Sequence, residues 1–259
     1  MVMCMPEIEA PQSFYIRQEC DKAAFQHGFR RAHGETGGWR RYSSTTAQGA
    51  LWLAAAGAEG PWYLALDHSG VVAELGLPPA DMAGPGLARF AFDSLGALYE
   101  AMPRVYQLSV SLPEAPLDTF REKVKNLPQK TEAERLVVQR VGQDIFRASL
   151  MEYWQGRCPL TGIVDPALLR ASHIIPWKLC ESDAERLNVH NGLLLSALWD
   201  AAFDKGLVSF DDEGRPMFSP GLSEDAREAL RWQAPIPLGP EHRKRLAWHR
   251  ETLFQQNQQ

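Results

Sequence analysis

Short hydrophobic runs separated by turn-forming residues dominate the first part of the chain. Three of these runs predict β-strands, at residues 51–54, 62–66 and 71–75. The Asp-His-Ser-Gly segment at 67–70 predicts a hairpin turn between the last two strands. Residues 90–102 predict a helix that ends before Pro103, and the alternation over 105–110 predicts a returning strand. The pattern therefore predicts a small α+β domain over residues 1–112.

A different pattern begins at Thr131, where Thr131 and Glu134 form the sequence signature of a helix capping box. The predicted helix runs to about Gln155 and stops at Gly156. Its buried stripe is predicted at spacings of three and four residues: Val138, Val141, Ile145 and Ala148. Prolines and charged residues fill the segment 113–130, which predicts a connector that contains a short helix.

Strands and helices are both predicted in the rest of the chain. Strands are expected at 168–171, 192–195, 207–210 and 215–218, and helices at 197–204, 223–232 and 240–256. An acidic turn that contains Gly214 separates the last two strands and predicts a hairpin. The predicted class is α+β throughout, with a second domain over residues 131–259.

Composition narrows the class of protein. The 259 residues are enough for two modest domains, and 45% hydrophobic with 23% charged residues is typical of folded globular proteins. No apolar run is long enough to span a bilayer and residues 1–20 do not resemble a signal peptide, so we expect a cytoplasmic protein without a membrane partner. The net charge of −5 lowers the expectation of nucleic-acid binding but does not exclude it.

The polar residues of the second domain suit the cleavage of phosphodiester bonds. A neutral histidine such as His173 accepts the proton of an attacking water near pH 7, and Asn191 is suited to hydrogen-bonding across a loop and holding its shape. Asp200 and Asp204 lie four residues apart in a predicted helix, so both carboxylates lie on one face. Such a pair suits a hard, oxygen-binding cation.

Four segments carry a family resemblance in their order and spacing: 158–162, 171–177, 191–195 and 203–206. They resemble the HNH endonuclease family with its ββα-metal finger, over about residues 131–218. The resemblance implies that His173 is the general base and Asn191 the asparagine that fixes the loop. It also implies that Asp200 is a metal ligand and that Asp204 occupies a second ligand position on the helix.

Two features depart from the family pattern. Ser172 stands where many members carry an aspartate or histidine that binds the metal, so its contact with the metal is expected to be weak, water-mediated or missing. The Cys-x-x-Cys pairs of many relatives are absent, since Cys4, Cys20, Cys158 and Cys180 are dispersed, and structural zinc is not expected. Because the available ligands are oxygens, Mg²⁺ or Mn²⁺ is favoured over Zn²⁺ as the divalent cofactor.

The segment 28–42 is the dense basic cluster of the first domain, and its aromatic residues suit phosphate contacts combined with stacking on a base. The candidate DNA contacts are Arg30, Arg31, Trp39, Arg40, Arg41 and Tyr42, with Trp177 and Lys178 in the second domain. An aromatic pocket for a flipped base would be consistent with Trp39, Trp52, Trp62 and Tyr63. The alternative is that these aromatics only anchor a folded segment to the core, and that Trp177 only closes its loop.

The first hypothesis is a metal-dependent DNA endonuclease in which the N-terminal domain selects the target. The resemblance implies a restriction or defence role, in some relatives against DNA with modified bases. Cutting both strands of double-stranded DNA calls for two active sites, so a homodimer is expected. Two alternatives stay open: a DNA-binding or regulatory protein that retains the finger as a scaffold, with Ser172 as the trace of lost catalysis, and a nuclease toxin with an immunity protein.

Overall fold

The computed structural model describes residues 7–128 and 131–254. Its contacts divide the chain into two compact units, Met1–Ala115 and Pro116–Gln259, which are described separately below. Cys4, the last two residues of the predicted connector and the predicted helix end at 255–256 lie outside the described residues. The functional division at residues 112 and 130 stays a prediction.

Unit 1 is an antiparallel five-stranded sheet with helices. Its elements in chain order are α1 (Phe14–Gln26), β1 (Arg31–Thr36), β2 (Trp39–Ser43), β3 (Ala50–Ala55), β4 (Trp62–Leu66), α2 (Ser69–Glu74), β5 (Ala88–Phe92) and α3 (Leu95–Ser111). The strands pair in sequence order, β1-β2-β3-β4-β5, so each strand is hydrogen-bonded to its neighbours along the chain. The strands predicted over 51–54 and 62–66 are present as β3 and β4.

The two faces of this sheet differ in what covers them. Tyr42 lies opposite Leu51 in the β2–β3 register, and its hydroxyl donates to Asp21 of α1 at 2.7 Å, so α1 covers that face. Helix α3 contacts α1, β4 and β5. On the opposite face, alternate residues form an apolar cluster, packed by Ile8 and Met82 from irregular segments: Trp39, Ala54, Tyr63 and Ala65.

The strand predicted over 71–75 is wrong, because those residues lie in and just after helix α2. Two successive valines favour a strand, but the imidazole Nδ1 of His68 accepts the backbone N–H of Val71 at 3.2 Å and caps a helix. Val71 is buried at 1% exposure. A helix of six residues is too short for its period to be read from the sequence.

The helix predicted over 90–102 is present only from Leu95 and does not end before Pro103, and the strand predicted over 105–110 is wrong. Residues 88–92 form β5, and α3 continues through Pro103 to Ser111. Four buried residues at helical spacing hold the helix together across the proline: Leu98, Met102, Val105 and Leu108. Pro103 itself is exposed, so the helix bond lost at the proline lies on the solvent side. Helix α1 was not predicted from the sequence.

Unit 2 begins with helices and then alternates short elements. Its elements are α4 (Glu114–Val124, which starts in unit 1), α5 (Glu132–Tyr153), β6 (Leu169–His173), α6 (Asp183–Arg186), β7 (Gly192–Ser196), α7 (Ala197–Asp204), β8 (Val208–Phe210), β9 (Pro216–Phe218), α8 (Glu224–Ala229) and α9 (Pro240–His249). A π-helical turn, Arg250–Phe254, follows α9. Both units mix helices with antiparallel strands, so the predicted α+β class is confirmed.

Helix α5 begins as predicted, because Thr131 and Glu134 form the reciprocal bonds of a capping box. Of its predicted buried stripe only Ile145 is buried, since Ala148 is exposed and Val138 and Val141 are half-buried. The buried face lies beside the predicted stripe: Gly142, Ile145, Phe146, Ser149, Leu150 and Tyr153. Polar Ser149 fits this face because its hydroxyl donates to the carbonyl of Ile145 at 2.9 Å.

The strands β6 and β7 form an antiparallel hairpin that contacts α5 and α7. Ser172 pairs with Leu193, and His173 pairs with Gly192. The residue opposite His173 is glycine for a steric reason: a Cβ on Gly192 would lie 2.5 Å from the ring of Phe146. Phe146 of α5 therefore packs directly on the hairpin backbone. The hairpin with helix α7 forms a ββα unit.

Candidate active site

The last two residues of β6 point to opposite faces of the hairpin, because successive side chains of a strand alternate. Ser172 faces α7, where its hydroxyl donates to Asp200 Oδ1 at 2.5 Å. His173 faces α5, where its ring stacks on Phe146. The structure thus places Ser172 with Asp200 on one side and His173 on the other, at the same end of one strand.

Aromatic and backbone groups hold the imidazole of His173. The ring stacks on Phe146 with centroids 3.8 Å apart and meets Trp177 edge-on at 5.5 Å. Its Nε2 lies 2.9 Å from the carbonyl oxygen of Arg186. A carbonyl oxygen only accepts hydrogen bonds, so Nε2 carries the proton and, in the neutral ring, Nδ1 carries a lone pair. This is the tautomer of a proton acceptor.

Burial lowers the pKa of His173 to about 4, although the hydrogen bond to the Arg186 carbonyl opposes that shift. The rings of Phe146 and Trp177 pack against the imidazole and leave it only partly exposed to water, which disfavours the charged imidazolium. The imidazole is therefore neutral at pH 7. A neutral ring is the form that accepts a proton from water.

Asn191 is fully buried and binds both ends of the loop between β6 and β7. Its Oδ1 accepts from the backbone N–H of Ile175 at 2.9 Å, and its Nδ2 donates to the Ile175 carbonyl at 3.2 Å. The same Nδ2 lies 3.4 Å from the carbonyl of Glu185 and from the Cys180 sulphur. Asn191 therefore fixes the shape of the loop. None of these contacts is with His173.

Helix α7 carries two carboxylates, of which Asp200 contacts Ser172. Asp200 accepts the Ser172 hydroxyl bond, and Asp204 follows one helical turn later. Desolvation of the Asp204 carboxyl group and, next, the negative charge of Asp200 raise the pKa of Asp204. The positive charge of Lys205 opposes this rise in the pKa of Asp204.

This donor set fits Mg²⁺ or Mn²⁺. Within residues 7–128 and 131–254, no three His, Cys, Asp or Glu side chains are arranged as a ready cation cage. Mg²⁺ is commonly held by one or two carboxylates, with waters and substrate phosphates completing the shell. Asp200 and Asp204 would supply that number of carboxylates, and the Ser172 hydroxyl oxygen lies beside Asp200. The all-oxygen chemistry favours a hard cation over zinc.

In unit 1 the structure separates the predicted DNA contacts into two groups. Arg40 and Tyr42 both bind Asp21 of α1, at 2.8 and 2.7 Å, and Tyr42 is fully buried. Trp39, Trp62 and Tyr63 are buried as well. These side chains therefore belong to the packing of unit 1. A base has no open ring face among them on which to stack.

The other predicted contacts of unit 1 face the solvent. Arg30, Arg31 and Arg41 are exposed, and the Arg41 guanidinium lies 5.7 Å from the ring centre of half-buried Trp52. Arg41 and Trp52 are register partners on β2 and β3, on the face that α1 does not cover. This pair combines a positive charge with an accessible aromatic surface.

Trp177 and Lys178 lie in the loop after β6, in a 3₁₀ turn at Trp177–Leu179. The ring of Trp177 packs against Gly142 of α5, where a Cβ would lie 2.6 Å from its Cη2 atom. Lys178 is exposed. The structure therefore brings Trp177 to His173 and leaves Lys178 at the surface.

Three residues around His173 were missed by the sequence reasoning: Gly142, Phe146 and Arg186. A signal existed for the first, because glycine is unfavourable inside a helix and its presence indicates close packing. Phe146 and Arg186 looked like ordinary helix and loop residues, since their role depends on contacts with residues 27 and 13 positions away.

Residues 158–211 match the model of the HNH endonuclease family. The matched segment contains β6, β7, α7, β8 and the loop that Asn191 fixes. It spans 54 of the 259 residues, all within unit 2. The predicted HNH domain is therefore confirmed for this part of the chain, and it indicates nuclease activity on DNA. HNH nucleases generally use a divalent metal ion.

A search of curated proteins finds no match to the chain. Within the described residues, no helix combines the length and apolar character needed to cross a membrane.

Two histidines of unit 2, half-buried His173 and buried His249, predict acid instability. Burial lowers the pKa of both His173 and His249 to about 4, from 6.5. The folded state therefore binds protons less readily than the unfolded state. The contribution of the two neutral histidines to the free energy of unfolding is complete above pH 6.5 and declines as the pH falls towards 4. We expect a loss on the order of 3 kcal/mol for each histidine over that window.

The measurement is the urea midpoint of unfolding of the full chain at pH 7.5 and at steps down to pH 4.5. His249→Phe keeps an aromatic ring beside Phe203, on which His249 stacks with centroids 4.1 Å apart. This variant should show a flatter pH dependence than the wild type. A pH dependence as steep as that of the wild type would contradict the assignment.

Proposed function

We propose that the protein is a metal-dependent HNH endonuclease that hydrolyses phosphodiester bonds of DNA. The observation that carries the proposal is the state of His173. Its ring is neutral, its Nε2–H is fixed on the Arg186 carbonyl, and it lies at the strand end next to the Ser172–Asp200 pair. Ser172 and His173 are consecutive residues at the end of β6, and the proposal places the scissile phosphate at this end, between the base on one side and the cation site on the other.

In the proposed mechanism, His173 Nδ1 accepts a proton from the attacking water while the water oxygen forms a bond to phosphorus. The bond between phosphorus and the leaving oxygen then breaks, and the leaving oxygen takes a proton from solvent water. Asn191 keeps the loop closed around this residue through its bonds to Ile175. Phe146 and Trp177 limit the orientations of the ring, which keeps Nδ1 aimed at the water.

Asp200, helped by Asp204 and Ser172, would hold Mg²⁺ or Mn²⁺. Bound there, the cation would neutralise the charge that develops on the scissile phosphate. The Ser172 hydroxyl bond leaves Asp200 with its second carboxylate oxygen for this role, and it fixes the direction of that carboxylate.

We further propose that unit 1 contacts the target DNA, with Arg41, Arg31 and Arg30 as phosphate contacts and Trp52 as the aromatic surface. Lys178 would contact DNA beside the cleavage site. Arg40, Tyr42 and Trp39 support this surface from within. A restriction or defence role, dependence on modified bases, a homodimer on double-stranded DNA and a cytoplasmic location belong to the same proposal.

One observation favours the alternative of a DNA-binding protein that retains the scaffold. Ser172 replaces a charged ligand and its hydroxyl binds Asp200, so a single hydrogen bond satisfies the position without a cation. The deciding experiment incubates supercoiled plasmid with the full chain in Mg²⁺ or Mn²⁺. The endonuclease proposal expects nicked or linear product that EDTA suppresses. Intact plasmid under both metals, with DNA binding retained, would establish the alternative.

Arg41→Ala is expected to weaken DNA binding about three- to tenfold and to reduce the salt slope of log K by about 1. Loss of one phosphate contact has that size, and cleavage chemistry is not required to see it. Filter binding of a 30-base-pair duplex at several salt concentrations measures it. The control Lys22→Ala removes an exposed charge from α1, on the covered side of the sheet. Equal affinities of Arg41→Ala and wild type would remove Arg41 from the interface.

A further inference from the structure

The side chain of Arg186 joins separate points of the loop between β6 and β7. Its Nε donates to the carbonyl of Trp177 at 3.2 Å, and one terminal nitrogen donates to the carbonyl of Cys180 at 2.6 Å. The other terminal nitrogen binds the Asp183 carboxylate at 3.0 Å. The guanidinium carbon also lies 5.9 Å from the centre of the Trp177 ring. One side chain therefore connects the 3₁₀ turn to helix α6.

The backbone of the same residue contacts the general base. The carbonyl of Arg186 accepts the Nε2–H of His173 at 2.9 Å, as described above. This carbonyl is at the end of α6, a helix of only four residues that cannot hold its own direction. The guanidinium bonds to Trp177 and Cys180 fix that helix end, and Trp177 in turn meets the His173 ring edge-on.

We propose that Arg186 is a positioning residue for His173: its guanidinium holds the loop so that its own carbonyl and Trp177 keep the imidazole in one orientation. The inference rests on the proposed function for its catalytic meaning. Its structural part states that the Nε2–H of His173 is protected from exchange and that this protection depends on a side chain 13 positions away. That part is tested without any cleavage.

The shape of the guanidinium matters as well as its charge. Arginine presents N–H groups in a planar fork, and three of its nitrogens reach three different acceptors here. A lysine ammonium keeps the charge but cannot reproduce that fork or stack on Trp177 in the same way. Arg186→Lys should therefore be intermediate between wild type and Arg186→Ala.

The first measurement is hydrogen exchange of the His173 Nε2–H in protein labelled with ¹⁵N-histidine, at pH 7.5 in EDTA without DNA. His173→Gln assigns the signal by its loss. We expect a protected Nε2–H in the wild type, exchange at least about tenfold faster in Arg186→Ala, and an intermediate rate in Arg186→Lys. The control is Arg231→Ala. Arg231 is an exposed arginine, and like Arg186 its carbonyl accepts a ring N–H, that of Trp199 at 3.2 Å.

Unchanged exchange in both Arg186 variants, or the same acceleration in Arg231→Ala, would overturn the proposal. If Arg186→Ala does not fold, Arg186→Lys alone decides by the same criterion. The second measurement is plasmid cleavage, where Arg186→Ala should lower kcat by about 10- to 100-fold with KM little changed. An inactive wild type with a protected, Arg186-dependent Nε2–H would reject the nuclease function and keep the positioning role.

Discussion

His173→Ala is expected to lower the rate of plasmid nicking by about 10²- to 10⁴-fold, the usual contribution of a general base. In the structure this imidazole is neutral at pH 7 and keeps a lone pair on Nδ1, because Nε2–H is committed to the Arg186 carbonyl. Its ring stacks on Phe146, which holds it at the end of β6. The measurement is the initial nicking rate in saturating Mg²⁺ or Mn²⁺.

The matched control is His33→Ala. His33 lies on the edge strand β1, is exposed and contacts the Ser43 hydroxyl at 2.6 Å, so its loss should leave nicking unchanged. Circular dichroism and DNA binding of His173→Ala show whether the fold and the substrate complex survive. Equal nicking by His173→Ala and wild type would remove His173 from the chemistry. It would also indicate that any activity comes from a contaminating nuclease or from other residues.

The elements that the sequence predicted well are those whose information is local. The capping box of α5 needs only Thr131 and Glu134, which are three positions apart. Helix α7 and the β8–β9 hairpin also follow from short patterns next to one another in the chain. The order of the HNH segments is local in the same sense, so the domain could be identified without coordinates.

The errors arose where tertiary contacts overrule local preference. Pro103 normally ends a helix, yet α3 continues because Met102, Val105 and Leu108 bury one continuous stripe. The valines after His68 favour a strand, yet the cap on Val71 starts a helix. Neither outcome follows from the local conformational propensity of these residues. Their packing against a sheet formed by other parts of the chain decides the conformation.

The candidate site shows the same limit. His173 could be chosen from its motif, but its neutral state and tautomer depend on Phe146 and Arg186, which no short pattern connects to it. For Arg40 and Tyr42 the partner is Asp21, on a helix that the sequence did not reveal. Basic and aromatic residues in one segment therefore predicted an interface, while the structure assigns part of that segment to the fold.

Asp200→Asn is expected to lower metal-dependent cleavage by at least about 100-fold, because it removes charge from the proposed cation site at nearly constant shape. The amide oxygen of asparagine still accepts the Ser172 hydroxyl bond, so the contact between β6 and α7 is retained. Asp204→Asn should have a smaller effect, since Asp204 is the more exposed carboxylate and has no contact with Ser172 in the described structure. The rates are measured across a titration of Mn²⁺ and Mg²⁺.

Direct metal binding separates a lost cation from a damaged fold. Electron paramagnetic resonance of free Mn²⁺ should show at least about tenfold weaker binding to Asp200→Asn than to the wild type, because a cation held by few carboxylates depends strongly on each charge. Asp225→Asn, an exposed carboxylate at the start of α8, is the control that removes one negative charge elsewhere. The charge of Asp200 raises the pKa of Asp204, so Asp200→Asn should also lower that pKa. If Mn²⁺ binding is unchanged while cleavage is lost, the cation lies elsewhere and the negative charge of Asp200 contributes to cleavage without holding it.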